Sequence, residues 1–296
     1  MKPLTRSTVM SNNAMIATSH PLAVQTGLDI LKAGGNAVDA AIAATAVLNV
    51  VQPMSTGIGG DLFALVYHAD SKKLFGLNAS GRAPERATIQ EYQRRGYSQH
   101  MPVDGILSVT VPGALRGWQA LLKKFGTKSL TELLQPAIDY AQNGFPVTEI
   151  ISRRWRTTEE KLKRYKTTAE TYLLNGQAPR PGEIFKNPKL ARTFQKIAKE
   201  GIEIFYEGEI AEQIIRESQK HDGLLSLSDL QRYEPAWVEP ISTTYRGFTV
   251  YELPPNTQGL IALLALNIVE GFDLAKLEHN SAEYLHMLIE AIKLAF

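Results

Sequence analysis

The sequence predicts a mixed α/β fold of the α+β kind, arranged as a single interwoven domain over residues 1–296. Stretches of helical periodicity, opened by proline or a polar cap and closed by glycine, recur along the chain. Between them lie short apolar runs of strand character, bounded by glycine, proline and polar turns. The composition, 44% hydrophobic and 21% charged, excludes disorder and a coiled coil, and 296 residues are enough to bury a sizeable core. No internal repeat or low-complexity linker separates the chain into beads.

The first helix is predicted over Pro21 to Lys32, with proline in its first turn, Gly34 as its stop, and Val24, Leu28 and Leu31 on one face. A second helix starts at Asn36, with Asp39 placed to reach back to the first turn. It is built almost wholly of small residues: Ala40, Ala41, Ala43, Ala44 and Ala46. Alanine loses no rotamer entropy in a helix and lets neighbouring backbones approach. Pro53 breaks the chain, and Gly57, Gly59 and Gly60 form a tight turn into a strand. Leu62 to His68 and Lys73 to Ala79 then read as a hairpin across Ala69-Asp70-Ser71-Lys72. A short strand, Val109 to Val111, precedes Pro112-Gly113 and a helix ending at Gly126. Helices follow over Leu130 to Gln142, Val147 to about Lys166, Pro188 to Lys199 and Gly208 to Lys220. Thr244 to Leu253 is strand-like, and Pro254 to Thr257 caps a helix from Gln258 to Glu270. The last helical pattern, Ser281 to Phe296, meets no capping glycine or proline, which predicts a chain truncated from a longer protein.

Several function classes are excluded or disfavoured at once. A formal charge of +2 gives no reason to expect nucleic acid or an anionic membrane as a partner. The absence of cysteine removes disulfides, thiolate metal sites and cysteine nucleophiles. The six histidines contain no i,i+4 pair and no HExxH, so no metal or other cofactor is expected. The basic run Arg153, Arg154, Arg156, Lys161, Lys163 and Arg164 is interrupted by Glu159 and Glu160 and reads as a solvated helix face. The N-terminal stretch has basic residues but no apolar core of a secretion signal, and no window is long and apolar enough to span a bilayer. A cytoplasmic location is the expectation.

The run GGNAVDAAIAATAVLNVVQPMSTGIGGDLF from Gly34 to Phe63 is too particular for generic packing. It resembles the γ-glutamyltranspeptidase family, whose large subunit carries GGNAVDAA and, after a small-residue helix, a glycine-rich turn into a strand. The resemblance covers essentially the whole chain. Val111-Pro112-Gly113, the stretch Phe185 to Ile214 with its FYEG turn, LSLSDLQRY, Tyr245-Arg246-Gly247, Glu252 to Gly259 (ELPPNTQG) and the terminal EAIKLAF follow in family order.

The resemblance implies an N-terminal-nucleophile hydrolase with an αββα sandwich, of which this chain is the large-subunit part. In such enzymes a precursor cleaves itself before a threonine, which becomes the first residue of the small subunit and attacks a γ-glutamyl amide. Its freed α-amine, with a pKa of about 7.7–8.0, serves as general base. The implied partners are the small subunit of the same precursor and a small γ-glutamyl or glutaryl substrate. No catalytic residue is expected within the chain. Its threonine pairs, Thr157-Thr158, Thr167-Thr168 and Thr243-Thr244, lack the Thr-Thr-His context of self-cleavage and read as helix surface and turn.

The large subunit's contribution to such a site is an arginine for the substrate carboxylate, in a context like Arg-Glu-x-Ala-Pro. Aligned on Ala83-Pro84, that position falls on Ser80, and the nearest arginine is Arg82. Positions two apart on an extended chain share a face, roughly 6–7 Å apart. Arg82 is therefore expected to present a bidentate fork to a carboxylate, with Ser80 beside it; the bland alternative is a loop arginine paired with Glu85. The displaced arginine keeps a cephalosporin or glutaryl acylase of the same fold as the second reading. An inactive remnant serving as a scaffold or binding module is the third. Gly57 to Gly60 lacks the lysine of a phosphate loop and enters a strand, so it reads as a structural turn near the active centre.

Overall fold

The computed structural model describes residues 7–296; the basic Lys2 and Arg6 of the N-terminal stretch lie outside them. In chain order the elements begin with helices α1 (Pro21–Lys32) and α2 (Ala37–Val51), then strands β1 (Leu62–His68) and β2 (Lys73–Ala79). Short α3 (Ile89–Arg94) leads to α4 (Ala114–Phe125), α5 (Leu130–Asn143), β3 (Phe145–Pro146), α6 (Glu149–Lys163) and α7 (Lys166–Tyr172). Next come β4 (Ile184–Phe185), α8 (Pro188–Glu200), α9 (Glu203–Tyr206), α10 (Glu209–Lys220) and α11 (Leu227–Gln231). Strands β5 (Ala236–Val238), β6 (Ile241–Tyr245) and β7 (Phe248–Glu252) precede α12 (Gly259–Glu270) and α13 (Ala282–Ala295).

Where the sequence predicts one interwoven domain over 1–296, the contacts divide the chain into two compact units made of interleaved segments. The first comprises residues up to Gly60 and Arg82–Tyr233; the second comprises Asp61–Gly81 and Glu234–Phe296.

The first unit is helical. Nearly every side chain of α2 is buried, and α2 packs against α1 and α5. Small residues set that distance: a Cβ at Gly27 of α1 would lie 3.3 Å from the Ala40 carbonyl and clash with Ile16. His20 caps α1, its Nδ1 accepting from the Leu22 amide at 3.2 Å. Burial pushes its pKa down, which favours the neutral ring that accepting requires. A second cluster forms around the β3–β4 pair, where Phe185 packs edge-on to Phe145 and to Trp155 of α6, all fully buried.

The α2 start is built as the sequence predicts. Asn36 accepts from the amides of Val38 and Asp39, and Asp39 accepts from the Asn36 amide, a reciprocal capping box. The structure adds a long-range half. The fully buried Asp39 carboxylate also receives the Thr127 amide (3.0 Å), the Thr127 hydroxyl (2.5 Å) and the Lys128 amide (3.2 Å). Burial alone would raise its pKa; the Thr127 hydroxyl and the three backbone amides outweigh that and lower it.

The second unit holds a sheet ordered β1-β2-β5 and the hairpin β6-β7, with α12 against the hairpin and α13 against α12. β1 and β2 pair over their whole length, Leu62 opposite Ala79 to His68 opposite Lys73. Thr244 to Leu253, expected as one strand-like run, spans the turn and second strand of the β6-β7 hairpin. Arg246 and Gly247 at that turn have φ of 52° and 83°, the twist a two-residue hairpin loop needs. The strand expected at Val109 to Val111 is not one. Among the described residues that segment joins no ladder, and the Val111 amide bonds the Arg82 carbonyl at 2.9 Å.

Candidate functional site

In the second unit the end of β2 carries a side-chain network. Asn78 Oδ1 accepts from the Ser80 amide (3.0 Å) and the Ser80 hydroxyl (2.9 Å), an Asx-type turn that ends the strand. Asn78 Nδ2 donates to Asn256 Oδ1 at 2.8 Å, and Asn256 Nδ2 donates to Ser80 Oγ at 3.0 Å. One residue on, the Gly81 amide donates to Asp61 Oδ1 at 2.8 Å, tying the start of β1 to the end of β2. Ser80 is thus engaged by two amide side chains, Asn78 and Asn256. Asn256 and Asp61 were not singled out by sequence reasoning. The signals were present in PPNTQG and GGDLF, but nothing in a lone asparagine or aspartate says which strand end it will bind. Beside this network a cleft of about 640 Å³ is lined by Phe63 and Leu65 of β1 and by Asn256, Thr257 and Gln258.

In the first unit, Arg82 is exposed and its guanidinium has no hydrogen bond or ion pair among the described residues. Its expected alternative partner, Glu85, is taken elsewhere: Arg232 lies 3.6 Å from its carboxylate, and its amide donates to Asp229 at 2.9 Å. The Arg82 backbone is held, because its carbonyl accepts from Val111. Arg82 is therefore a fixed backbone position bearing an uncommitted cation.

The start of α4, just after that segment, holds the glycine turn. The Gly60 carbonyl accepts from the amides of Gly113 and Ala114, both at 2.9 Å, and the Gly60 amide closes the turn on the Gly57 carbonyl at 3.0 Å. The segment is anchored in turn by Tyr206 of the FYEG motif. The buried Tyr206 hydroxyl donates to the Pro112 carbonyl (2.9 Å) and accepts from the Arg116 amide (3.1 Å). The Arg116 guanidinium lies 4.6 Å from the centre of the Tyr206 ring and donates to Gln119 (2.9 Å) and Glu203 (3.3 Å). Three motifs scattered through the sequence thus form one hydrogen-bonded assembly.

The threonine pairs take structural positions. Thr157 and Thr158 donate back to the Arg154 and Trp155 carbonyls of α6, and Thr243 bonds Asn267. On the basic run of α6, Lys163 pairs with Glu159 and Glu160, and Arg164 pairs with Asp104. Among the described residues no helix is long and apolar enough to cross a membrane.

Residues 23–296 match the family model described as gamma-glutamyltranspeptidase, and the chain belongs to that family. A glutathione hydrolase-like YwrD proenzyme of Bacillus subtilis is 42% identical over 289 residues, 97% of this chain and 54% of the relative. The crystal structure of cephalosporin acylase from Bacillus halodurans superposes with a TM-score of 0.88 at 44% identity, covering 100% of this chain and 57% of that one. Helicobacter pylori gamma-glutamyltranspeptidase gives a TM-score of 0.91 at 31% identity, covering 98% and 84%. The chain spans about half the length of the curated relatives it matches. The mixed α/β architecture is that of these structures.

Proposed function

We propose that this chain is the large-subunit part of a γ-glutamyltranspeptidase-like enzyme that hydrolyses or transfers γ-glutamyl groups of glutathione-type substrates. The carrying observation is Arg82, an exposed guanidinium without a partner among the described residues, on a backbone pinned by Val111. A planar fork of donors held this way suits a carboxylate, which accepts two parallel hydrogen bonds. The binding energy of that group, remote from the scissile amide, orients the substrate for attack. The nucleophile is a threonine in a segment beyond Phe296, freed by self-cleavage, with its own α-amine as base. The acyl group then passes to water or an amine. The small subunit of the same precursor is the partner, and this chain by itself is expected to release no chromophore from a γ-glutamyl anilide.

A second reading is supported by the 44% identity to a cephalosporin acylase and by Ser80 at the aligned arginine position. A glutaryl group has the distal carboxylate and length of γ-glutamyl without the α-amino group. The test uses the complete precursor and compares release from γ-glutamyl and glutaryl anilides. Faster γ-glutamyl turnover supports the first reading and faster glutaryl turnover the second. A precursor that neither cleaves itself nor turns over either substrate overturns both.

A further inference from the structure

Gly57 and Gly59 are glycines that the fold itself does not require. Neither has a positive φ, so the backbone there is open to any residue. A Cβ built on either meets no atom within 4 Å, so no close packing in the described residues excludes a side chain. The contrast with Gly144 is sharp: there φ is 93° and a Cβ would lie 2.5 Å from Ile184. The amides of Gly57, Ile58 and Gly59 donate to nothing among the described residues. Yet the turn is not loose. It is closed by the Gly60–Gly57 bond, and Gly60 accepts from Gly113 and Ala114.

The position of the turn says what it faces. Arg82 hangs from Val111 and Gly60 from Gly113, two positions apart in the segment that leads into α4, within the same unit. Residues two apart along a chain are at most roughly 7 Å apart. The backbones that carry the free amides and the uncommitted guanidinium are therefore anchored two residues apart on one segment. We propose that Gly57–Gly59 is a substrate-positioning surface: an acyl donor whose carboxylate is held by Arg82 lies across this turn and accepts hydrogen bonds from its amides. The missing side chains are the room for that chain. The inference rests on the Arg82 reading and extends it to the substrate's acyl backbone, which must be unbranched where it crosses the turn.

The test uses the complete self-cleaving precursor with Gly57→Ala, Gly59→Ala and Arg82→Ala, each assayed with a linear γ-glutamyl or glutaryl anilide. Displacing a bound substrate by about 1 Å costs on the order of a hundredfold in rate. Gly57→Ala or Gly59→Ala is expected to lower kcat/KM by about ten- to a hundredfold while melting temperature and the rate of self-cleavage stay at wild-type values. Unchanged kcat/KM in both glycine variants, with Arg82→Ala still impaired, overturns the positioning surface and leaves the Arg82 reading intact. An unimpaired Arg82→Ala overturns that reading itself. Loss of self-cleavage or subunit association in the glycine variants assigns the turn to a contact between subunits and overturns the proposal.

Discussion

Asp39 is the residue whose removal the structure prices most clearly. Its carboxylate has no exposed surface and accepts from the Asn36 amide, both groups of Thr127 and the Lys128 amide. Asp39→Ala leaves those donors facing a cavity, and an orphaned buried donor costs about 1–3 kcal/mol. Since the donors are close together and partly relax, the sum is below simple addition, and about 3–5 kcal/mol is expected. Asp39→Asn keeps the shape and one carbonyl oxygen but turns an NH2 toward donors, so about 2 kcal/mol is expected from roughly one unmade bond and one donor–donor conflict. Thr127→Val removes only the hydroxyl's bond and should cost about 1.5–3 kcal/mol, the range for a bond to a charged group.

The pH dependence carries a sign. The folded pKa of Asp39 lies below its ordinary 3.8, so the stabilisation is fully present above the unfolded value and is lost as pH falls through the folded one. The gap between wild type and Asp39→Asn should therefore narrow in acid and be flat from pH 5 to 8. Urea unfolding of the first unit, followed by amide exchange at Thr127 and Lys128, reads both. A loss under about 1 kcal/mol for Asp39→Ala would refute the argument that this carboxylate joins the α2 cap to the 127–128 loop.

Tyr206→Phe removes one hydroxyl that serves both the Pro112 carbonyl and the Arg116 amide; about 1–3 kcal/mol of stability should be lost, with a larger loss of activity if the Gly60 turn shifts. Unfolding midpoints and steady-state kinetics on the same protein separate the two. Gly144→Ala combines a φ of 93° with contacts of 2.5 Å to Ile184 and 2.9 Å to Lys186, so it should cost more than about 2 kcal/mol by thermal unfolding. Trp155→Ala empties a fully buried site against Phe185 and should cost about 3–5 kcal/mol in the same assay.

Elements with strong local signals were legible from sequence. Proline at its start and the Gly34-Gly35 stop give α1 its ends, and the Ala69–Lys72 connector gives the β1-β2 hairpin its register. The capping box at Asn36 and Asp39 was legible too, because its partners are three residues apart. What distant partners decide was not legible. Of the amides that would make Val109 to Val111 a strand, that of Val111 goes to Arg82 and that of Val109 to Ile106, and a three-residue run carries no information about that choice. β5 has three residues and, among the described residues, pairs with β2. Ser80 and Arg82 were singled out from their order along the chain, but the Asn256 amide that engages Ser80 is 176 residues away. The assembly of the glycine turn, Val111-Pro112-Gly113 and Tyr206 was visible only as motifs in series, because the tyrosine's role depends on where its hydroxyl ends.

The most direct test of the account is Arg82→Ala in the complete enzyme, assayed with a γ-glutamyl anilide and with its α-carboxylate amide. Leaving a desolvated carboxylate unpaired costs about 2–5 kcal/mol, or roughly tens- to thousands-fold in kcat/KM at about 1.4 kcal/mol per decade. The account predicts that loss for the acid, almost none for the amide, partial rescue by Arg82→Lys and intact self-cleavage. Ser80→Ala, which removes a hydroxyl already shared between Asn78 and Asn256, should cost less than about 1.5 kcal/mol in kcat/KM. The reverse pattern, with Ser80 critical and Arg82 dispensable for the acid, would contradict the claim that Arg82 holds the substrate carboxylate.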